Sequence, residues 1–245
     1  MVNLGGTAIG TGLGAPRQYI FRAVERLRQI TGLGLARAEN LIEATQNADV
    51  FVEVSGILRT LAANLLKIAN DLRLLSSGPY AGLGEIRLPA RQAGSAIMPG
   101  KVNPVIAEAV AQAAIAVMGH DQMILQAVGA GTLELSQFLP LVADSLLTSL
   151  DLLTGACDIF ARHCVAGIEA DAGRCRRNIR NSTATLTALV DKIGYDRAEQ
   201  LAREVEASHC GQLNIRQLVI DRGLLPAEEF DQLTSPERVT RLGSP

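Results

Sequence analysis

The chain has 245 residues, enough for one large domain or for one large and one small domain. Lys and Arg number 23 against 25 Asp and Glu, so no excess of positive charge exists to drive nucleic-acid binding. Ala and Leu occur 34 times each, while Trp, Tyr and Phe together supply 8 residues. A core rich in Ala and Leu suits closely packed helices, whereas a sandwich or barrel would draw on more β-branched and aromatic residues.

The first residues, Met1 to Gly6, carry no basic region followed by an apolar run, so they do not read as a secretory signal. Gly5-Gly6-Thr7-Ala8-Ile9-Gly10-Thr11-Gly12-Leu13-Gly14 follows. A phosphate-binding turn of this type would need a Lys-Ser/Thr pair or a preceding strand, and neither is present. A junction where backbones approach closely fits the glycines better. Tyr19, Ile20, Ala23, Val24, Leu27 and Ile30 then fall at helical spacing within 17–30. Leu58, Leu61, Leu65, Ile68, Leu72 and Leu75 step by three and four, which predicts a helix packed lengthwise in a bundle through that stripe. Ser76-Ser77-Gly78-Pro79 stops it.

Residues 79–104 hold four glycines (82, 84, 94 and 100) and four prolines (79, 89, 99 and 104), and read as one long connection between long helices. Such a connection inside a compact domain is usually functional. Pro104 can occupy the first turn of the next helix, which is apolar nearly all round to about Val128 and should be central. Its stretch from Val105 to Met118 is short for a membrane span and is interrupted by Glu108 and Gln112. A further helix is expected from near Pro140 to about His163, with Leu146, Leu147, Leu150, Leu153 and Cys157 facing inward. Beyond Val165 the helices shorten, and Arg174, Arg176, Arg177 and Arg180 cluster on what is most simply a solvated face. The predicted fold is therefore all-α. A helical-bundle domain occupies 1–165 with a mobile loop at 92–104, and a small helical domain occupies 166–245.

Cys157, Cys164, Cys175 and Cys210 form no Cys-x-x-Cys pair and match no zinc spacing, which predicts buried free thiols in a reducing cytosol. His120, His163 and His209 lie far apart and read as surface or packing histidines.

The loop Gly94-Ser95-Ala96-Ile97-Met98-Pro99-Gly100-Lys101-Val102-Asn103-Pro104 concentrates the chemistry. Gly94 and Gly100 give the backbone freedom to close over a ligand. Lys101 is one of only three lysines, against 20 arginines, and offers a point charge. Asn103 offers an amide and Ser95 a hydroxyl. Together they suit an anionic carboxylate substrate whose charge grows during reaction, although composition alone is equally met by a polar surface loop.

This loop resembles the signature of the fumarase/aspartase superfamily, with Ala96 standing where a second serine is usual. Gly5 to Gly12, Asn70 to Pro79, and Gly167-Ile168-Glu169-Ala170 resemble further blocks of the same family, so the resemblance spans essentially the whole chain. Glu43-Ala44-Thr45-Gln46-Asn47, Asp71 to Leu75 and Gln92-Ala93-Gly94 are similar to the aspartase branch rather than to fumarases. Gly-Thr-Leu-Glu-Leu-Ser at 131–136 resembles a block of both branches, but Ser136 stands where asparagine is usual.

The resemblance implies a reversible anti-elimination that converts L-aspartate to fumarate and ammonia, with no cofactor and no metal. It implies Ser95 as the base, Lys101 and Asn103 as carboxylate ligands, and Glu108 as the partner of a histidine from another subunit. That histidine belongs to a Thr-His context preceding the Gly-Gly-Thr-Ala block, and His120, His163 and His209 do not match it. The chain is thus expected to be the C-terminal portion of such a subunit, cytoplasmic, homotetrameric through its long helices, and inactive alone. Fumarate hydratase and a helical oligomerisation fragment without activity are the alternatives.

Overall fold

A computed structural model describes residues 1–180, 182–207 and 214–241. Eleven α-helices are found there, with one two-stranded ribbon. They are α1 (Arg17–Thr31), α2 (Leu41–Gln46), α3 (Asp49–Leu75), α4 (Val105–Gly129), α5 (Leu139–His163), α6 (Ala172–Arg180), α7 (Val190–Ile193), α8 (Tyr195–Ala207), α9 (Ile215–Asp221), α10 (Ala227–Leu233) and α11 (Pro236–Val239). Strand β1 (Ile86–Arg87) pairs antiparallel with β2 (Glu169–Ala170). The all-α expectation holds.

The chain divides into two compact units. The first comprises residues 1–74 and 88–168, and the second residues 75–87 and 169–245. Residues 75–87 thus leave the bundle to which the sequence reading gave them. Two kinds of bond hold them in the second unit. The ribbon pairs Ile86 with Ala170, and Arg174 on α6 donates through Nη2 to the Gly82 carbonyl (2.7 Å) and through Nε to that of Leu83 (2.9 Å).

Three long helices dominate the first unit. Ser55 on α3 bonds Asp121 on α4, and Arg73 meets Glu108, so α3 and α4 run antiparallel. His120 on α4 bonds Ser149 on α5, and α5 packs back along α4. The shared core is built from Ala62, Leu65, Ala69, Ala107, Val110, Ala111, Ala114, Val117, Leu153, Ala156, Phe160 and Cys164. Ala at the contact lets helix axes approach closely, which accounts for the composition.

The leucine stripe of α3 is split by this arrangement. Leu65 is buried, but Leu61 and Ile68 are 42% and 45% exposed. The alanines Ala62 and Ala69 face the core instead, beside Leu65. The inward face of α5 also differs from expectation. It is formed by Val142, Ser145, Ser149, Leu153, Ala156 and Phe160, while Leu147, Leu150 and Cys157 are exposed. Apolar periodicity located the helices, yet several large side chains point outward while alanines and serines fill much of the seam.

The glycine-rich segment is a packing junction. A Cβ on Gly10 would come within 2.4 Å of the Ile42 Cα and the Leu41 carbonyl oxygen at the start of α2, so only glycine fits. Asn40 caps α2 by accepting from the Ile42 and Glu43 amides.

The second unit has its own core of Leu186, Leu189, Ile193, Ala198, Leu201, Ile215, Val219, Leu225 and Phe230. Asp171 accepts from the Arg174 backbone N–H at the start of α6 (2.9 Å) and from Arg87 (3.1 Å). The backbone N–H and then the Arg87 guanidinium hold its carboxyl below the usual carboxylate range. The expected free thiols are found at Cys157, Cys164 and Cys175, of which Cys164 is buried. Burial pushes the Cys164 thiol up, against a smaller pull from Arg91. Cys210 and His209 lie outside the described residues.

Candidate active site

Residues 92–104 form a loop closed at a neck. The Gly94 N–H donates to the Lys101 carbonyl at 2.7 Å, and Ala93 bridges Val102 in antiparallel fashion. The Asn103 side chain closes the same neck by donating from Nδ2 to the Gly94 carbonyl at 3.3 Å. Gly94 is required for this approach: a Cβ there would lie 2.8 Å from the Lys101 oxygen and 3.0 Å from the Asn103 nitrogen. Gly100, at φ +78°, turns the chain at the far side. The root of the loop is tied to α5 by Arg91, whose Nε donates to the His163 carbonyl at 2.9 Å.

Inside the loop Ser95 is the acceptor for two backbone amides. The Ile97 and Met98 N–H groups each donate to its Oγ at 3.2 Å. Two donors converging on one hydroxyl oxygen favour negative charge on that oxygen. Lys101 is exposed, and its side chain forms no hydrogen bond or ion pair among the described residues. Its ammonium is therefore open to an anion. Ile97 is 87% exposed at the tip, where a closing loop would meet a ligand or a neighbouring surface.

Glu108 stands in the first turn of α4, where the helix dipole favours an acid. Its carboxylate lies 3.8 Å from Arg73 Nη2, at the last turn of α3. The structure thus gathers Ser95, Lys101 and Asn103 about one neck and sets Glu108 one turn beyond it on α4. Reasoning from sequence did not find Arg73, nor the Ile97 and Met98 amides. A backbone donor leaves no signal in residue type, and Arg73 becomes visible only once α3 and α4 are known to be antiparallel.

Two other polar groups stand in the bundle. Asp121 is buried on α4, and accepts from Ser55 Oγ at 2.7 Å and from Arg59 Nη1 at 2.8 Å. Ser136 is buried, and its Oγ has no hydrogen-bond partner among the described residues. This is the position where the family pattern has asparagine.

The family described as Lyase matches residues 1–119, and that described as Fumarase C C-terminus matches residues 186–241. Aspartate ammonia-lyase of Bacillus subtilis is 45% identical over 242 residues, covering 99% of this chain and 50% of the relative. The chain belongs to the fumarase/aspartase superfamily. Class II fumarate hydratase of Neisseria meningitidis, another relative, is 42% identical and covers 95% of the chain and 50% of its own length. Among solved structures, a fumarate lyase:delta crystallin from Brucella melitensis bound to cobalt superposes with a TM-score of 0.88 at 46% identity. That match covers 98% of this chain and 52% of the other. The chain spans about half the length of the superfamily members it matches.

Proposed function

We propose that this chain forms part of an ammonia-lyase that eliminates ammonia from L-aspartate to give fumarate. The observation that carries the reading is the 45% identity to an aspartate ammonia-lyase across 99% of the chain. The loop geometry suits the chemistry.

The proton to be removed lies beside the side-chain carboxylate of aspartate, and its loss builds a second negative charge on that group. Holding this aci-carboxylate is the main catalytic task. In our reading the Ser95 alkoxide takes the proton. The Ile97 and Met98 amides, which donate to Ser95 Oγ, lower the cost of forming it. Lys101 and Asn103 hold the carboxylate as its charge grows. The C–N bond then breaks, its electron pair leaves with nitrogen, and the double bond of fumarate forms. Glu108 pairs with a histidine supplied by another subunit.

The long helices support a homo-oligomer as the working form, and we propose a tetramer. Ile57 and Ile68 on α3, Ile115 and Leu125 on α4, and Leu147 on α5 are 45–69% exposed. Apolar side chains in that number on three adjacent helices are the surface a helical partner covers. The same faces explain the long apolar run Leu139–Gly167 without a membrane. A cytoplasmic location and the absence of any cofactor complete the reading.

Parallel assays of the enzyme carrying this chain decide the substrate. Aspartate should release fumarate, and fumarate with ammonia should consume it, while malate gives no fumarate. Release from malate alone would establish the hydratase instead, and neither activity, with the oligomer intact, would leave an assembly fragment.

A further inference from the structure

We infer that Arg73 is a positioning residue of this active site, acting through Glu108. The inference rests on the ammonia-lyase reading and on the role given there to Glu108.

Arg73 occupies the last turn of α3, and Glu108 the first turn of α4. Both helix ends border one core, in which Ala69 and Ala107 are fully inaccessible. The two ends of the guanidinium do different things. Nη1 donates to Asn70 Oδ1 on its own helix at 3.0 Å, and Nη2 lies 3.8 Å from Glu108 Oε1. Asn70 therefore fixes the plane of the fork, and the fork presents its other nitrogen to the carboxylate.

The pair is a poor stabiliser. Its side chains are 42% and 37% exposed and its separation exceeds a hydrogen bond, so its contribution to the fold is small. Each partner already suits its own helix end, a cation at a C-terminus and an acid at an N-terminus. What the pair adds is restraint. Glu108 has a half-exposed carboxylate on a flexible stem, and Arg73 limits where it points and balances its charge from the α3 side. A carboxylate that must receive a histidine from another subunit works only if it waits in the right place.

The test uses the active oligomer. Arg73→Gln should lower kcat by about ten-fold, with KM for aspartate changed by less than about two-fold, because the inference has Arg73 act on Glu108 and not on the substrate. Arg73→Lys, which keeps the charge, should restore most of the rate. Asn70→Ala, an exposed and helix-favouring change, should give a smaller loss of kcat in a chain that folds normally. Arg73→Gln added to Glu108→Gln should cost nothing further, since both act through one carboxylate.

Unchanged kcat in both Arg73→Gln and Asn70→Ala, with Glu108→Gln strongly impaired, would overturn the inference and leave the function standing. A thermal-midpoint loss without a kcat change would also overturn it, as a purely structural pair. Normal turnover by Glu108→Gln would instead remove the role of Glu108 on which the inference depends.

Discussion

Gly94 and Ser136 show how single residues set the candidate site and its support. Gly94 is the hinge of the loop neck, and a methyl group there would strike the Lys101 carbonyl at 2.8 Å. Gly94→Ala should therefore spread residues 94–95 from 101–103 and cut kcat by roughly 100-fold, with little change in thermal midpoint. Steady-state kinetics beside a melting curve checks both halves. Ser136 and Ser145 bury hydroxyls without partners among the described residues. An orphaned polar group costs about 1–3 kcal/mol, so removing one should help. Ser145→Ala on α5 should raise the unfolding free energy by about 1 kcal/mol, aided by the higher helix propensity of alanine. Denaturant melts of the chain would show it, and a loss of stability would mean the hydroxyl has a partner.

Among the elements, α3 and α4 are locked by more than apolar contact. Asp121 is buried with Ser55 and Arg59 as its partners, while Arg59 itself is half exposed. Removing Arg59 leaves the carboxylate buried with the Ser55 hydroxyl alone, so Arg59→Met should cost about 3 kcal/mol. Asp121→Asn in that background should recover part of the loss, because it removes the stranded charge. The α6 start offers a pH-dependent counterpart. Asp171 is held below the usual carboxylate range by the Arg174 amide and Arg87. Its contribution is complete above the unfolded value, near pH 4, and fades as pH falls toward the folded one. Wild type should lose thermal stability more steeply below about pH 4 than Asp171→Asn does. Equal slopes would remove Asp171 as a source of that dependence.

The helices themselves were legible in the sequence because apolar period and proline placement survive any packing arrangement. Which face of each helix turns inward was not. The leucines of α3 and α5 look like a seam by spacing, yet Leu61, Ile68, Leu147 and Leu150 are exposed and Ala62, Ala69 and Ala156 are buried. Periodicity reports that a stripe will be covered, not by which neighbour. Residues 75–87 were assigned to the bundle because the texture of the sequence changes only after Val165, whereas bonds from Arg174, more than ninety positions from Gly82, hold them elsewhere. The candidate-site loop was the most readable part, since its glycines, lysine and asparagine are local. The donors that converge on Ser95 were not readable, because they are backbone amides.

At the scale of the molecule, two compact units carry different duties. The first supplies the loop, Glu108 and long apolar faces, and the second has a separate small core. Relatives twice as long match this chain from end to end at 42–45% identity, so the superfamily pattern runs through both units. The outward apolar residues of α3 and α5 are the natural place to probe assembly. Ile57→Glu together with Leu147→Glu should lower the oligomer mass in light scattering and abolish turnover with it, while the helical content stays. An unchanged mass would move the subunit interface elsewhere.

If the loop around Ser95 performs the elimination, Ser95→Ala in the active oligomer must all but stop turnover of L-aspartate. Fumarate absorbance should rise about 10³-fold more slowly than in wild type, with oligomer mass and melting temperature unchanged. A rate within a few-fold of wild type would contradict the assignment of Ser95 as the base, and with it the mechanism built on this loop.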